Sequence, residues 1–187
     1  MEASDAELMA RLAGGDDLSL NALMLRWQEK VAAFLYRMAG HPDVAADLAH
    51  ETFVKLYQAR HRYQPTAKFS TYLFGIAANL ARNHTRWKSR HPAVSLDGDD
   101  GAAYFAEAAS DGLSPEETAV SSERLRAVQV AMHALPADLR QAMSLFIDEE
   151  MSYAEIAAIE GCTAKAAETR IYRARQLLKE SLKDVRS

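Results

Sequence analysis

The sequence predicts an all-α fold, in which two small helical domains are joined by a flexible acidic linker and the second domain contains a helix-turn-helix. Three observations predict it. Apolar residues recur at three- and four-residue spacing along most of the chain. Gly and Pro are few, 8 and 5 among 187 residues, and fall mainly at breaks between the periodic stretches. At His91-Pro92 the composition changes: from Pro92 to Ser122 there are seven acids and no Lys or Arg, punctuated by Gly, Ser, Ala and Pro. The boundaries drawn from this are 1–91, a linker over 92–121, and 122–187.

Within the first domain, Ser4 followed by Glu7 has the form of a capping box opening a short helix that Gly14-Gly15 ends. Leu20, Leu23, Trp27, Val31, Phe34, Leu35 and Met38 then mark a longer helix from about Asp17 to Ala39, broken by Gly40-His41-Pro42. Asp43 is placed to cap a third helix reaching about Arg60, with Ala45, Leu48, Ala49, Phe53, Leu56 and Tyr57 inward. Asp43, Asp47 and Glu51 line its outer side at four-residue steps. That acidic row suits the helix dipole and an ion pair from Glu51 to Lys55, and by itself calls for no partner.

The fourth helix, Phe69 to Arg90, is the one on which function turns. Leu73, Ile76, Ala77, Leu80, His84 and Trp87 form a packing stripe, and Asn79, Arg82, Asn83, Arg86 and Arg90 share the opposite face. Its opening, Lys68 with Phe69, Tyr72 and Phe74, sets aromatics beside a cation, a combination suited to unstacked bases and their phosphates. No Asp or Glu occurs between Glu51 and Asp97, whereas Lys55, Arg60, Arg62, Lys68, Arg82, Arg86, Lys88 and Arg90 all do. In a chain of formal net charge -4 this is a segregated cationic surface. It fits single-stranded nucleic acid, and equally a solvated basic flank. Net acidity repels nucleic acid in general, so binding has to come from local patches, aided by a partner.

In the second domain Leu135-Pro136 marks a helix entry, with Leu139, Met143 and Phe146 inward and Asp148-Glu149-Glu150 closing it. Ser152 and Glu155 form another capping box, Gly161-Cys162 makes a tight turn, and Thr163 caps a longer helix with Ala167, Ile171, Ala174 and Leu178 inward. From Gly161 onward seven Lys and Arg face three acids. The readers expected at the start of a recognition helix are Thr163, Lys165, Glu168, Thr169 and Tyr172, with Arg170 and Arg173 nearer phosphates.

Several classes are disfavoured. The single cysteine, Cys162, precludes an intramolecular disulfide and a thiolate metal cluster, which points to a reducing, cytoplasmic setting. No apolar run approaches a membrane span, and the N-terminus is acidic where a signal peptide is basic. His50-Glu51 begins like a zinc-protease helix, but Val54 stands where the second histidine belongs. With no glycine-rich phosphate loop and no recognisable nucleophile, no catalytic residue, metal or cofactor is expected.

Taken in order, DVAADLAHETFVKLYQAR, FSTYLFGIAANLARNHTRWKSR and LPADLRQAMSLFIDEEMSYAEIAAIEGCTAKAAETRIYRARQLL resemble a bacterial RNA polymerase sigma factor of the small, two-domain extracytoplasmic-function (ECF) type. The resemblance implies core RNA polymerase as partner. Asp47, Leu48, Glu51, Phe53 and Leu56 would lie on the surface that docks on the clamp helices of the largest subunit, and the second domain would meet the flap. It implies promoter DNA as well. The minus-ten element would be met by Lys68, Phe69, Tyr72, Asn79, Arg82, Asn83, Arg86 and Arg90, and the minus-thirty-five element by Thr163, Lys165, Glu168, Thr169, Arg170, Tyr172 and Arg173. An anti-sigma factor is a further implied partner. The acidic linker matches the segment that relatives thread through the polymerase cleft. Where relatives carry a polar or basic run early in the last helix, this chain has Ala166-Ala167-Glu168, which bears on promoter sequence and not on fold. The competing readings are a stand-alone helix-turn-helix regulator or a sigma-like decoy, and an interaction protein with no DNA role. The last leaves the acid-free basic block unexplained.

Overall fold

The computed structural model describes residues 3–91 and 115–183, with 115–122 and 148 as backbone only. The expected linker therefore lies outside the described residues up to position 114. The described residues are helical with connecting turns: α1 (Asp5–Ala13), α2 (Leu18–Ala39), α3 (Pro42–Gln58), a short 3-10 turn (Arg60–Arg62), α4 (Phe69–Arg90), α5 (Pro115–Ala134), α6 (Ala137–Asp148), α7 (Tyr153–Glu160) and α8 (Ala164–Ser181). α5 begins ahead of Ser122, within the stretch whose composition reads as linker.

Local chemistry explains the helix ends. In both capping boxes the serine hydroxyl accepts from the third helical N–H while the glutamate accepts from the serine N–H, at Ser4/Glu7 and at Ser152/Glu155. Thr163 caps α8 by accepting from the Ala166 N–H. α3 departs from expectation: its N-cap is His41, with no side-chain cap bond, and Pro42 occupies the first turn. The fixed φ of proline and its missing N–H suit that position, leaving Asp43 to act on the dipole only.

In the first helical group α2 packs on α1, α3 and α4. The centre is aromatic. Phe74 meets Phe34 edge to face at 5.4 Å, and Trp27 contacts both Phe69 at 5.8 Å and Phe74 at 6.3 Å. Such contacts add to the area term that dominates burial of large rings. In the second group α8 packs on α6 and α7, burying Leu145, Ile156, Ala167, Ile171 and Ala174. The groups also pack on each other, α4 against α7 and α2 against α5 and α6, and a single buried cluster runs through both.

Candidate nucleic-acid and polymerase interfaces

α4 positions its polar face by burying the other. Leu73, Ala77, Ala78, Leu80 and Ala81 are packed away, and Asn79, Asn83, Arg86 and Arg90 are exposed. Arg82 is held: its guanidinium donates to Asn79 Oδ1 at 2.7 Å, and its Nε to the Ala78 carbonyl at 3.4 Å. Asn79 therefore has its amide oxygen occupied and its amine free of that contact. Arg90 folds back, donating from Nε to the Arg86 carbonyl at 3.2 Å.

Two expectations for this helix are corrected. Phe69 is 6% exposed and Phe74 is fully buried, so neither ring is open to a base; each packs against Trp27 and its neighbours. Tyr72 remains half-exposed and meets Tyr63 edge to face at 5.1 Å, with Lys68 exposed beside it. Trp87, assigned to the packing stripe, is 46% exposed and stacks on His91 at 5.0 Å. The stripe outruns the core, since the buried residues of α4 end at Ala81. His84, one turn earlier, is half-buried, and desolvation pushes its pKa down, with Lys88 and His41 adding to the effect.

On α3 the acidic row Asp43, Asp47 and Glu51 is exposed, and Glu51 pairs with Lys55 at 3.3 Å. Leu48, Phe53 and Leu56 are buried at 8%, 3% and 0% exposure. They cannot themselves touch a partner on this surface; they anchor it from beneath. The exposed apolar side chain beside the row is Val54. Its i+3 spacing from Glu51 is the signal in the sequence that marks it.

On α8, Thr163, Lys165, Thr169, Tyr172 and Arg173 are exposed, and Glu168 is half-buried. Lys165 donates to Glu168 at 2.8 Å, one turn apart and near solvent, and the Thr169 hydroxyl donates to the Lys165 carbonyl at 2.8 Å. Arg170 departs from the phosphate-facing role. It reaches back to Glu160, whose side chain is almost wholly buried, and lies 3.8 Å from Asp138. Burial pushes the Glu160 carboxyl up, while Arg170 and a 3.2 Å bond from Gln141 hold it toward ionisation. Arg170 thus ties the turn of the helix-turn-helix to α8. Arg175 lies over the Phe146 ring at 4.8 Å, a further tie between α8 and α6.

Sequence reasoning missed the contacts that cross between the groups. Lys68 pairs with Glu155 at 3.1 Å, the Thr71 hydroxyl donates to the same oxygen at 3.4 Å, and Arg82 donates to the Ile159 carbonyl at 3.2 Å. Arg140 donates to the Met38 carbonyl at 3.3 Å and to His133 Nδ1 at 3.1 Å. Periodicity within one helix carries no signal for such pairs.

Among the described residues no group of His, Cys, Asp and Glu could hold a metal ion, and no helix is long and apolar enough to cross a membrane.

A basic helix with an amide-rich outer face, followed by a helix-turn-helix with an exposed recognition helix, defines a two-part helical nucleic-acid-binding protein. The family models for Sigma-70 region 2 and Sigma-70 region 4 match residues 23–91 and 125–178. The RNA polymerase sigma-H factor of Pseudomonas aeruginosa is 32% identical over 95% of this chain and 93% of its own length. The ECF RNA polymerase sigma-E factor of Escherichia coli K12 is 34% identical over 94% and 92%. Among solved structures, the sigma factor RpoE in complex with the anti-sigma factor NepR from Bartonella quintana superposes with a TM-score of 0.71 at 25% identity, over 87% of this chain and 96% of that one. The chain belongs to the sigma-70 family of RNA polymerase sigma factors, in its ECF branch. It is accordingly an alternative sigma factor, a subunit that directs RNA polymerase to promoters.

Proposed function

We propose that the chain divides its task between two domains, 1–91 and 122–187, each with its own polymerase contact and DNA contact. The observation that carries this reading is the carboxylate-free outer face of α4. Exposed Asn79, Asn83, Arg86 and Arg90 lie in a segment with no acid between Glu51 and Asp97. On a strand-separated minus-ten element the amides read base edges, and Arg86, Arg90 and Lys68 hold phosphates, with Tyr72 available to stack. Arg82 joins them once released from Ile159.

Core polymerase docks on α3, with Asp47 and Glu51 as a charged rim around Val54 and the buried Leu48, Phe53 and Leu56 as support. On α8, Thr163, Lys165, Glu168, Thr169, Tyr172 and Arg173 face the minus-thirty-five element. Glu168 accepts a hydrogen bond from a cytosine amine in exchange for its exposed, weakly held pair with Lys165. The protein works in the cytoplasm as an initiation factor with no catalytic activity of its own. An anti-sigma factor holds it inactive, a reading supported by the NepR complex of the similar RpoE.

Run-off transcription with purified core polymerase and a promoter library tests the assignment. Start-site-specific transcripts that disappear with Asp47→Lys/Glu51→Lys support it. A folded double variant that competes normally for core polymerase removes the α3 assignment.

A further inference from the structure

What α8 can offer to DNA is set by the side chains that are already committed elsewhere. Turned away from the buried Ala167, Ile171 and Ala174 are Lys165, Ala166, Thr169, Tyr172 and Arg173. In a helix-turn-helix the first turns of the second helix reach the base edges. Guanine is read there by a bidentate donor, above all the planar fork of arginine. Arg170 is the one arginine in the first two turns of α8, and it is spent: it reaches back to the buried Glu160 and lies 3.8 Å from Asp138. Lys165 carries a single ammonium without a fork, and it donates to Glu168 at 2.8 Å. Arg173 is exposed but stands a turn further on.

Methyl groups are what remain at the base-reading positions. Ala166 presents one, half-exposed. Thr169 presents the other, for a specific reason. Its hydroxyl donates to the Lys165 carbonyl at 2.8 Å, which uses its one donor and turns the oxygen onto the backbone. The bond fixes χ1 of a β-branched side chain, so the methyl branch is left for the groove. Residues three apart on a helix stand about 5–6 Å apart at Cβ, which spans one to two base steps of about 3.4 Å.

In the major groove thymine alone carries a methyl group, and the methyls of alanine and threonine suit it as apolar contacts. We propose that α8 reads thymine methyls through Ala166 and Thr169. The minus-thirty-five element of this protein then carries thymine at two positions one or two steps apart, in place of an arginine–guanine contact in these turns. The proposal rests on the reading of α8 as the minus-thirty-five helix, and it adds to the cytosine contact of Glu168.

A promoter-library selection with the polymerase holoenzyme first fixes the element. Each thymine in its minus-thirty-five region is then replaced singly by deoxyuridine, which removes the methyl and leaves every hydrogen-bonding group in place. Binding of the wild-type holoenzyme should weaken about 4-fold at each of two positions, the effect of one methyl group left unburied, and stay unchanged at the others. Thr169→Ser keeps the hydroxyl and removes the methyl, whereas Thr169→Val keeps the methyl and removes the hydroxyl. The Ser variant should lose the difference between thymine and uracil at one of the two positions, and the Val variant should retain it. Ala166→Gly should lose it at the other.

An element without thymine, or no loss at any uracil, overturns the proposal. So does a Val variant that loses the difference while the Ser variant keeps it, because the reader is then the hydroxyl. Arg173→Ala, measured on the same promoter, isolates the underlying reading. If it weakens holoenzyme binding while uracil costs nothing, the methyl reading alone fails; if it has no effect, the α8 assignment fails.

Discussion

Glu155 serves two helices at once: one carboxylate oxygen accepts from the backbone N–H and hydroxyl of Ser152, and the other lies 3.1 Å from Lys68 Nζ across the boundary between the helical groups. The Ser152 bonds dominate its electrostatics, with Lys68 a smaller contributor, and together they hold its pKa at about 2. Lys68 is 72% exposed, so this pair is worth at most about 1 kcal/mol. Glu155→Gln, which preserves the capping form, should therefore cost less than about 1 kcal/mol in urea unfolding at neutral pH. Glu155→Ala should cost about 1–2 kcal/mol. Because the folded pKa lies below the ordinary 4.5, this contribution is present above that value and is lost as pH falls toward about 2. Glu155→Ala should flatten the acid limb of stability in that window.

His133 should act in the opposite sense from a salt-bridged histidine. It accepts from Arg140 at Nδ1, and burial first, then Arg140 and His41, push its pKa below the usual 6.5; Tyr36 packs edge to face on it. The folded chain favours the neutral ring, so stability falls as pH drops below about 6.5, where the unfolded chain gains the proton first. His84 is shifted the same way. Comparing unfolding free energies at pH 7.5 and 5.5 should show a smaller loss for His133→Gln than for wild type.

The aromatics of α4 should divide by burial rather than by type. Phe74→Ala removes a fully buried ring that meets Phe34 and Trp27, at a cost of about 3–5 kcal/mol. Trp87→Ala, at a half-exposed ring, should change stability by less than about 1 kcal/mol. Thermal unfolding of the two variants checks this.

Arg170 and Arg173 should separate in the same manner. Removing Arg170 strands the buried Glu160 carboxylate and should cost about 3–5 kcal/mol. Arg173→Ala should leave stability unchanged and lower the salt slope of promoter binding by about 1.

What was legible in the sequence was what neighbouring residues decide. The two capping boxes, the Thr163 cap, the Gly161 turn and the limits of α4 all follow from residues within a few positions of one another. The cap of α3 departs from the sequence pattern because Pro42 takes the first helical position and shifts the N-cap to His41, ahead of Asp43. Phe69 and Arg170 turn toward neighbouring helices for another reason: an aromatic or a cation on a helix reads the same in sequence whether it faces DNA or a packed neighbour. Trp27 and Glu160, which decide the matter here, are remote in sequence or hidden by the turn. Arg140 on Met38 and Arg82 on Ile159 join backbone carbonyls to distant side chains, and a carbonyl has no letter in a sequence.

The reading of α4 as the minus-ten element helix is tested most directly by permanganate footprinting of promoter complexes formed by core polymerase with wild type, Asn79→Ala and Arg86→Ala. Asn79→Ala should change which minus-ten sequences open, and Arg86→Ala should weaken opening to a similar degree on all of them, with a reduced salt dependence. Normal opening and unchanged sequence preference for both variants would contradict it.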